Sequence, residues 1–292
     1  MKNFFYQKNV AIACKDPGSA NLIFYLLKHI KPKKINYYTQ NPATKLFKTY
    51  STKKYSTKKI GDLFEKMDFF ICGTGRSNFE KKALIRAKKS KIYTLSIIDH
   101  YTKYKERFCY NKKYYFPDEI LSTGKEAFKI AKSTFPKIKI TLIKNYYLSD
   151  FKKRFTSIKK KNKKYIIYAS EPYIDLKLNY ELESLTYLLN NFDKMPFKSK
   201  EIIIKLHPKD KINKYDKIIK RFKNKIKISI NNDLDNVSLL SQTEAVVGLC
   251  SYLLLISLSC GIKTYSCILP NQNRIKRLNK KNIQNIPDKI KI

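Results

Sequence analysis

The stretch Glu201-Ile-Ile-Ile-Lys-Leu-His207-Pro208-Lys209-Asp210 decides the fold class. Three β-branched residues in succession read as a strand covered on both faces, as in a parallel sheet packed by helices. Proline lacks an amide proton and biases the residue before it towards extended geometry, so the strand has to stop at Leu206-His207. An imidazole is left at the strand's carboxyl end, with Lys209 beside it. In open α/β sheets that edge is where ligands bind. Two readings stand here: a ligand-facing strand tip, or a terminus whose histidine only closes a loop.

The pattern repeats on both sides. Tyr165-Ile-Ile-Tyr-Ala169 is a strand ending in the polar Ser170-Glu171-Pro172, and a helical pattern covers Leu176 to Phe192. A basic helix around Tyr215 to Phe222 follows the His-Pro strand, then a strand from Ile226 to Ile230. Asp233-Leu-Asp235 matches a metal-binding DxD string but reads first as capping before the helix at Val237. Ala245-Val-Val-Gly248 is the next strand, Leu249-Cys250-Ser251 opens an apolar helix, and Thr264 to Leu269 is the expected final strand. Ser251 and the amides at that helix start suit an anion on the same edge as His207. Ala245 to Ile262 carries no charge, reaching the lower limit of about 18 residues for a helical membrane span. Gly248, Ser251 and Gly261 interrupt it, so strand, turn, helix and strand is the expected course.

The first half has the same grammar. Asn9 to Cys14 is a strand, Lys15-Asp16-Pro17-Gly18-Ser19-Ala20-Asn21 a tight loop and helix start with Ser19 as cap. Ile35 to Thr39 and Asp68 to Cys72 are further strands. Gly73-Thr74-Gly75-Arg76-Ser77 then precedes a helix from Asn78 to Lys89. Its glycines and hydroxyls suit an anion or a sugar hydroxyl, or equally a turn needing positive φ. Lys91 to Ile98 runs into Asp99-His100-Tyr101, with Tyr104, Glu106 and Arg107 close behind. Asp99 is placed to orient His100 or to take a proton; otherwise it caps a helix and His100 packs. Phe116 to Leu121 is a short strand, a helix starts at Thr123, and Ile138 to Ile143 closes the first half. From Lys144 the pattern dissolves into Lys152, Lys153, Arg154 and Lys159 to Lys161. A solvated linker and the domain boundary are expected near Ser149 to Asn162, dividing the chain into residues 1–150 and 151–292.

The formal charge of +39 rests on 62 Lys+Arg against 23 Asp+Glu in 292 residues. The lysines are scattered, and richness in Tyr, Ile and Asn without any Trp is the bias of an AT-rich genome. Such a surface is also drawn to anionic lipid and to polyanionic sugar or phosphate. No zinc-finger, RNP or helix-turn-helix string occurs, so nucleic acid is not the expected partner. The six cysteines form no CxxC pair and read as small buried hydrophobes of a reducing compartment. The opening Met1-Lys-Asn-Phe-Phe-Tyr-Gln-Lys has no apolar signal core. A cytoplasmic protein is expected, with room for peripheral contact at the inner face of an anionic membrane.

Leu206-His207-Pro208, a strand, the Gly248-x-x-Ser251 turn and an apolar helix together resemble the C-terminal halves of bacterial sialyl-, polysialyl- and Kdo-transferases. The first half resembles uncharacterised bacterial polysaccharide-cluster proteins. The shared strings are Asp16-Pro-Gly-x-Ala-Asn21, Gly73-Thr-Gly75, Asp99-His-Tyr-x-x-Tyr-x-Glu-Arg-Phe108 and Pro117-Asp-Glu119. The resemblance implies a GT-B-like α/β fold, two Rossmann-like domains facing each other across a cleft. The first would be the acceptor side and the second would bind the nucleotide sugar.

It further implies a metal-independent glycosyltransferase that needs no cofactor beyond its donor, a CMP-linked acidic sugar in the nearest case. The acceptor would be a surface polysaccharide or glycolipid. By position, His207, Pro208, Lys209, Gly248, Ser251, Ser170 and Glu171 would hold the donor. Gly73, Thr74, Gly75, Tyr104, Glu106 and Arg107 would meet the acceptor or sugar, Arg107 by paired bonds to a carboxylate. Asp99 would be the base, with His100 beside it and Asp16 second. The transferases' paired acids followed by glycine are replaced here by Asp99-His100-Tyr101. A nucleotide-sugar epimerase and a non-catalytic polyanion-binding protein are the alternative expectations.

Overall fold

In a computed structural model the chain forms two compact α/β units, Met1–Ser149 and Asp150–Ile292. The structure describes residues 6–50, 55–75, 77–98, 103–158, 162–173, 178–233, 235–273, 275 and 283–288.

The first unit opens with β1 (Asn9–Cys14), α1 (Pro17–Ile30), β2 (Lys34–Thr39) and α2 (Ala43–Tyr50). It continues through β3 (Phe69–Cys72), α3 (Asn78–Lys89) and β4 (Tyr93–Ile98). After a 3-10 turn at Lys105–Phe108 come the small hairpin β5 (Cys109–Tyr110) and β6 (Lys113–Tyr114), then β7 (Glu119–Ser122), α4 (Lys125–Thr134) and β8 (Lys139–Leu142). The sheet order is β2-β1-β3-β4-β7-β8, every pair parallel. Helices cover both faces, so Val10 to Cys14 and Phe69 to Cys72 are buried without alternation. The direction of winding reverses between β1 and β3, and the loops after those strands flank that point.

Pro17 takes the first helical position of α1, where its missing N–H costs nothing. The cap position is therefore Asp16, and the expected cap Ser19 is instead fully buried in the first turn. The helix ends on Lys31 in the left-handed region at φ 49°, its N–H bonded to the Leu27 carbonyl at 2.9 Å. A β-carbon is strained there, so Lys31→Gly is expected to raise the unfolding midpoint by the equivalent of about 1 kcal/mol. An unchanged midpoint in denaturant would refute this.

The stretch expected to be a solvated linker is α5 (Tyr146–Ser157). Tyr147 and Phe151, four residues apart, are both buried, and the Leu148 amide donates to Asn145 Oδ1 at 2.9 Å. The run of lysines on the exposed face hid this two-residue apolar stripe. Lys159 to Lys161 lie outside the described residues.

The second unit runs β9 (Tyr165–Ala169), α6 (Tyr180–Asn190), β10 (Glu201–Lys205), α7 (Asp216–Phe222) and β11 (Lys227–Asn231). It ends with α8 (Val237–Ser241), β12 (Thr243–Gly248), α9 (Tyr252–Ser259), β13 (Lys263–Ser266) and β14 (Gln284–Asn285). The order β11-β10-β9-β12-β13-β14, all parallel, is third-second-first-fourth-fifth-sixth in chain terms. That is the dinucleotide-binding order, with its switch point between β9 and β12. The strand after β13 was not expected; at two residues it is too short to leave a periodic signal. Among the described residues no helix is long and apolar enough to cross a membrane. The six cysteines, all among the described residues, are not joined in disulfides.

Candidate functional site

The His-Pro strand ends as its chemistry demands. Leu206 still donates to the Asn231 carbonyl at 2.9 Å, and Pro208 then breaks the ladder. The next turn is closed twice: Asp210 N–H reaches the His207 carbonyl at 2.8 Å, and His207 N–H reaches Asp210 Oδ2 at 2.9 Å. The Lys209 amide donates to His207 Nδ1 at 3.2 Å. Nδ1 is thus an acceptor, and the neutral ring carries its proton on Nε2. His207 is half-buried at the carboxyl edge of β10, while Pro208 and Lys209 are exposed.

Beneath this loop lies an ionic network that sequence reading missed. Lys214 Nζ donates to Asp210 Oδ1 at 2.7 Å, to Glu181 Oε1 at 2.8 Å and to the Glu171 carbonyl at 2.8 Å. The Lys214 side chain is 3% exposed and that of Glu181 0%. Asp210 Oδ2 also accepts from Ser170 Oγ, which in turn bonds Tyr215 Oη. Ser170, expected to face a donor, is therefore a buried brace. Tyr168 Oη donates to the Glu181 carbonyl at 2.6 Å and closes the cluster. The only sequence trace was the Asp210-x-x-x-Lys214 spacing, which puts an acid one turn before a base.

The anion site expected at the start of α9 is occupied by the protein itself. Glu171 Oε1 accepts from the Cys250 amide at 2.7 Å, Oε2 from Cys250 Sγ at 3.2 Å, and the Ser251 amide adds a third bond. Burial pushes the Glu171 carboxyl up to about 7 despite these bonds. Ser251 Oγ accepts from Leu253 N–H at 3.3 Å as the helix cap. Gly248 also has a packing reason: a Cβ there would meet Ala169 Cβ and the Ala169 carbonyl oxygen, each at 3.1 Å. Of the expected donor set, His207 is half-buried and Pro208 and Lys209 are exposed at the carboxyl end of β10.

In the first unit Gly73 and Gly75 are open for internal reasons too. A Cβ on Gly73 would sit 2.6 Å from Ser19 Cβ, and one on Gly75 would sit 2.3 Å from Asp16 Oδ2. The glycines admit the protein's own loop after β1. The same Gly75 position lies 3.2 Å from Glu80 Oε1, so Asp16 and Glu80 share one small space. Glu80 accepts from the Lys15 amide at 2.8 Å and from Ser77 Oγ at 3.0 Å. Burial raises its pKa most, and the neighbouring Asp16 charge adds to it. Helix starts at Pro17 and Asn78 favour negative charge here. Sequence reading missed Glu80, although Ser77-x-x-Glu80 is a capping-box string.

Arg107 is 6% exposed and donates from Nη1 to the Thr74 carbonyl at 2.6 Å, while Thr74 Oγ1 donates to the Ile97 carbonyl at 3.0 Å. Both tie the loop down from within. Tyr104 is a core residue, 4% exposed, its hydroxyl on the Ala127 carbonyl at 3.3 Å; Glu106 is exposed. Pro117-Asp118-Glu119 is a staple at the amino edge: Asp118 Oδ2 accepts from Thr94 N–H at 2.8 Å, and Glu119 from Tyr93 Oη at 3.0 Å. Arg76, Asp99, His100 and Tyr101 lie outside the described residues. Asp235 Oδ1 takes the Val237 amide at 3.1 Å and Asp233 Oδ2 the Asn231 side chain at 3.0 Å. No group of three or more metal-capable side chains occurs among the described residues.

No family model and no curated protein matches the sequence. Solved structures do match. UDP-GlcNAc 2-epimerase from Methanocaldococcus jannaschii, in complex with UDP-GlcNAc and UDP, is 11% identical with a TM-score of 0.66, over 95% of this chain and 88% of that one. S. aureus MnaA in its UDP co-structure is 12% identical with a TM-score of 0.65, over 89% and 79%. UDP-GlcNAc 2-epimerase from Neisseria meningitidis bound to UDP-GlcNAc is 13% identical with a TM-score of 0.58, over 88% and 82%. Two Rossmann-like units of six parallel strands each and these likenesses make the fold GT-B-like.

Proposed function

We propose that this protein is a nucleotide-sugar enzyme, a metal-independent glycosyltransferase whose second unit holds the donor phosphate. The observation that carries the reading is His207: its ring is fixed by Lys209 N–H on Nδ1, so the neutral ring has its donor at Nε2, on a loop locked by Asp210 and Lys214. An Nε2–H and the Lys209 ammonium suit the charge that grows on a leaving phosphate. The site sits one strand from the switch point of a dinucleotide-order sheet. The solved structures of like fold hold UDP or UDP-GlcNAc, which supports a nucleotide sugar here.

In the transfer step an acceptor hydroxyl loses its proton to a carboxylate, for which Asp99 and Asp16 are the expected residues. The acceptor oxygen bonds to the anomeric carbon. The bond from that carbon to the phosphate oxygen breaks, and its electron pair leaves with the nucleotide. A CMP-linked acidic sugar as donor and a surface glycan or glycolipid as acceptor follow from the motif resemblance, and work at the inner membrane face follows from the strongly basic composition. The Arg107 guanidinium is turned inward to the Thr74 carbonyl and takes no part in this step.

A second reading, epimerisation of a UDP-sugar, is favoured by the fold likeness extending over 95% of the chain. A thermal-shift titration with CMP, CDP, UDP and GDP at high salt separates the two, since salt suppresses non-specific polyanion binding to this basic surface. A ligand at a hundred times its dissociation constant stabilises by about 2.7 kcal/mol. A CMP-selective shift lost in His207→Ala is expected. A UDP-selective shift, with UDP-sugar interconverted without acceptor, would move the assignment to an epimerase. No nucleotide-selective shift from the folded protein would sink both readings.

A further inference from the structure

Two carboxylates meet where the strand order reverses in the first unit, and they are not equivalent. Glu80 is 2% exposed, whereas Asp16 is only partly buried. Glu80 is thus closed to substrate, and Asp16 is the member of the pair that keeps some exposure. Glu80 holds the Lys15 amide at 2.8 Å, and so fixes the backbone that carries Asp16. Its other oxygen holds Ser77 Oγ at 3.0 Å, which ties the loop after β1 to the start of α3 across 65 residues of sequence. Asp16 Oδ2 fills the space above Gly75 that any side chain would close.

Among the described residues the Cys72 thiol on β3 also faces Glu80, and burial chiefly pushes it up to about 12. The Arg107 guanidinium is engaged with the Thr74 carbonyl in the intervening loop. A carboxylate buried beside another holds its proton more tightly, as the direction of the Glu80 shift shows.

We infer that Asp16 and Glu80 act as one carboxylate pair, with Asp16 the member that takes the acceptor hydroxyl's proton and Glu80 the positioning residue beneath it. The inference rests on the nucleotide-sugar reading above and selects Asp16 over Asp99 as the base. In the step itself the acceptor O–H bond breaks and its proton passes to an Asp16 carboxylate oxygen. The acceptor oxygen then bonds to the anomeric carbon, while the nucleotide phosphate departs with the electron pair of the broken bond. Glu80 neither gains nor loses an atom.

The test uses the full chain. Carboxyl-carbon NMR of the labelled protein should place the Glu80 midpoint above the ordinary glutamate range, and Asp16→Asn should lower it. An unmoved midpoint would overturn the pairing, whatever the activity. Turnover with the nucleotide sugar identified by thermal shift reads the second half. Glu80→Gln is expected to lower kcat by about 100-fold, the scale of a general-base contribution. Donor KM should stay within about twofold, and the acid limb of the pH–rate profile should move.

Gly75→Ala keeps both charges but displaces Asp16, so a similar kcat loss is expected there with the Glu80 midpoint lowered. Wild-type turnover in Glu80→Gln, or Asp99→Asn abolishing turnover while Asp16→Asn spares it, would overturn the assignment. If the wild type binds no nucleotide selectively, the catalytic role falls with the transfer reading. The NMR coupling is then still measured on its own, so the two failures are told apart.

Discussion

Replacing Lys214 by methionine is expected to destabilise the second unit by about 3–5 kcal/mol, the cost of leaving buried charge without its partner. Methionine matches the length of the lysine stem but brings no charge. Asp210 and Glu181 would then share a dry cluster with Tyr168, Tyr215 and Ser170 and no cation. Their side chains are 1% and 0% exposed, so water cannot take over. Hydrogen exchange in peptides from β9, β10 and the His207 loop reads the loss without treating two units as one transition. The triple variant Lys214→Met, Asp210→Asn, Glu181→Gln should recover most of it, because none of the three positions then carries a charge. A loss under about 1 kcal/mol in the single variant would mean that the network does not hold the loop.

Glu171→Gln is expected to stabilise the protein at pH 8 by about 2–3 kcal/mol and to leave it nearly unchanged at pH 4. The Glu171 carboxyl has its folded value near 7 against an ordinary 4.5. A raised value means that the folded state binds the proton more tightly than the unfolded chain. The resulting stabilisation is complete below the ordinary value and is lost as pH rises through the folded one, at about 1.4 kcal/mol per unit. The window is therefore between 4.5 and 7. Glutamine has no proton to lose, so the gap between wild type and variant should open across that window and stay constant above it. Groups facing Glu171 are the Cys250 amide and thiol, the Ser251 amide and the Glu181 charge, with Lys214 on its carbonyl. Parallel stability–pH curves for the two proteins would refute the assignment.

Much of the fold was legible because parallel strands, covered on both faces, are near-continuous apolar runs. Asn9–Cys14, Tyr165–Ala169 and the helix Asn78–Lys89 lie where apolar run and cap chemistry put them. The helix Tyr146–Ser157 was obscured by the lysines of its exposed face. Lysine also stands at turn positions with positive φ, at Lys31, Lys66, Lys91, Lys103 and Lys112, where glycine or asparagine is the relaxed choice. That placement fits a compositional drift towards lysine better than a dedicated binding surface.

The sequence alone determined which residue types stand at the carboxyl ends of strands: Asp16, the Gly-Thr-Gly loop, His207, Glu171 and Ser251. Strand ends are set by local chemistry, and local chemistry is read from neighbours. Only the tertiary structure decided what those groups do. Glu171 finds its amides 79 residues away and Glu80 finds its amide 65 residues away. The sheet order brings them together, and no short-range pattern encodes it. The same long-range pairing turned glycines that looked open to a ligand into room for the Asp16 carboxylate and the Ser19 side chain. It left His207 at the edge of the second unit, with its ring set by the loop beneath.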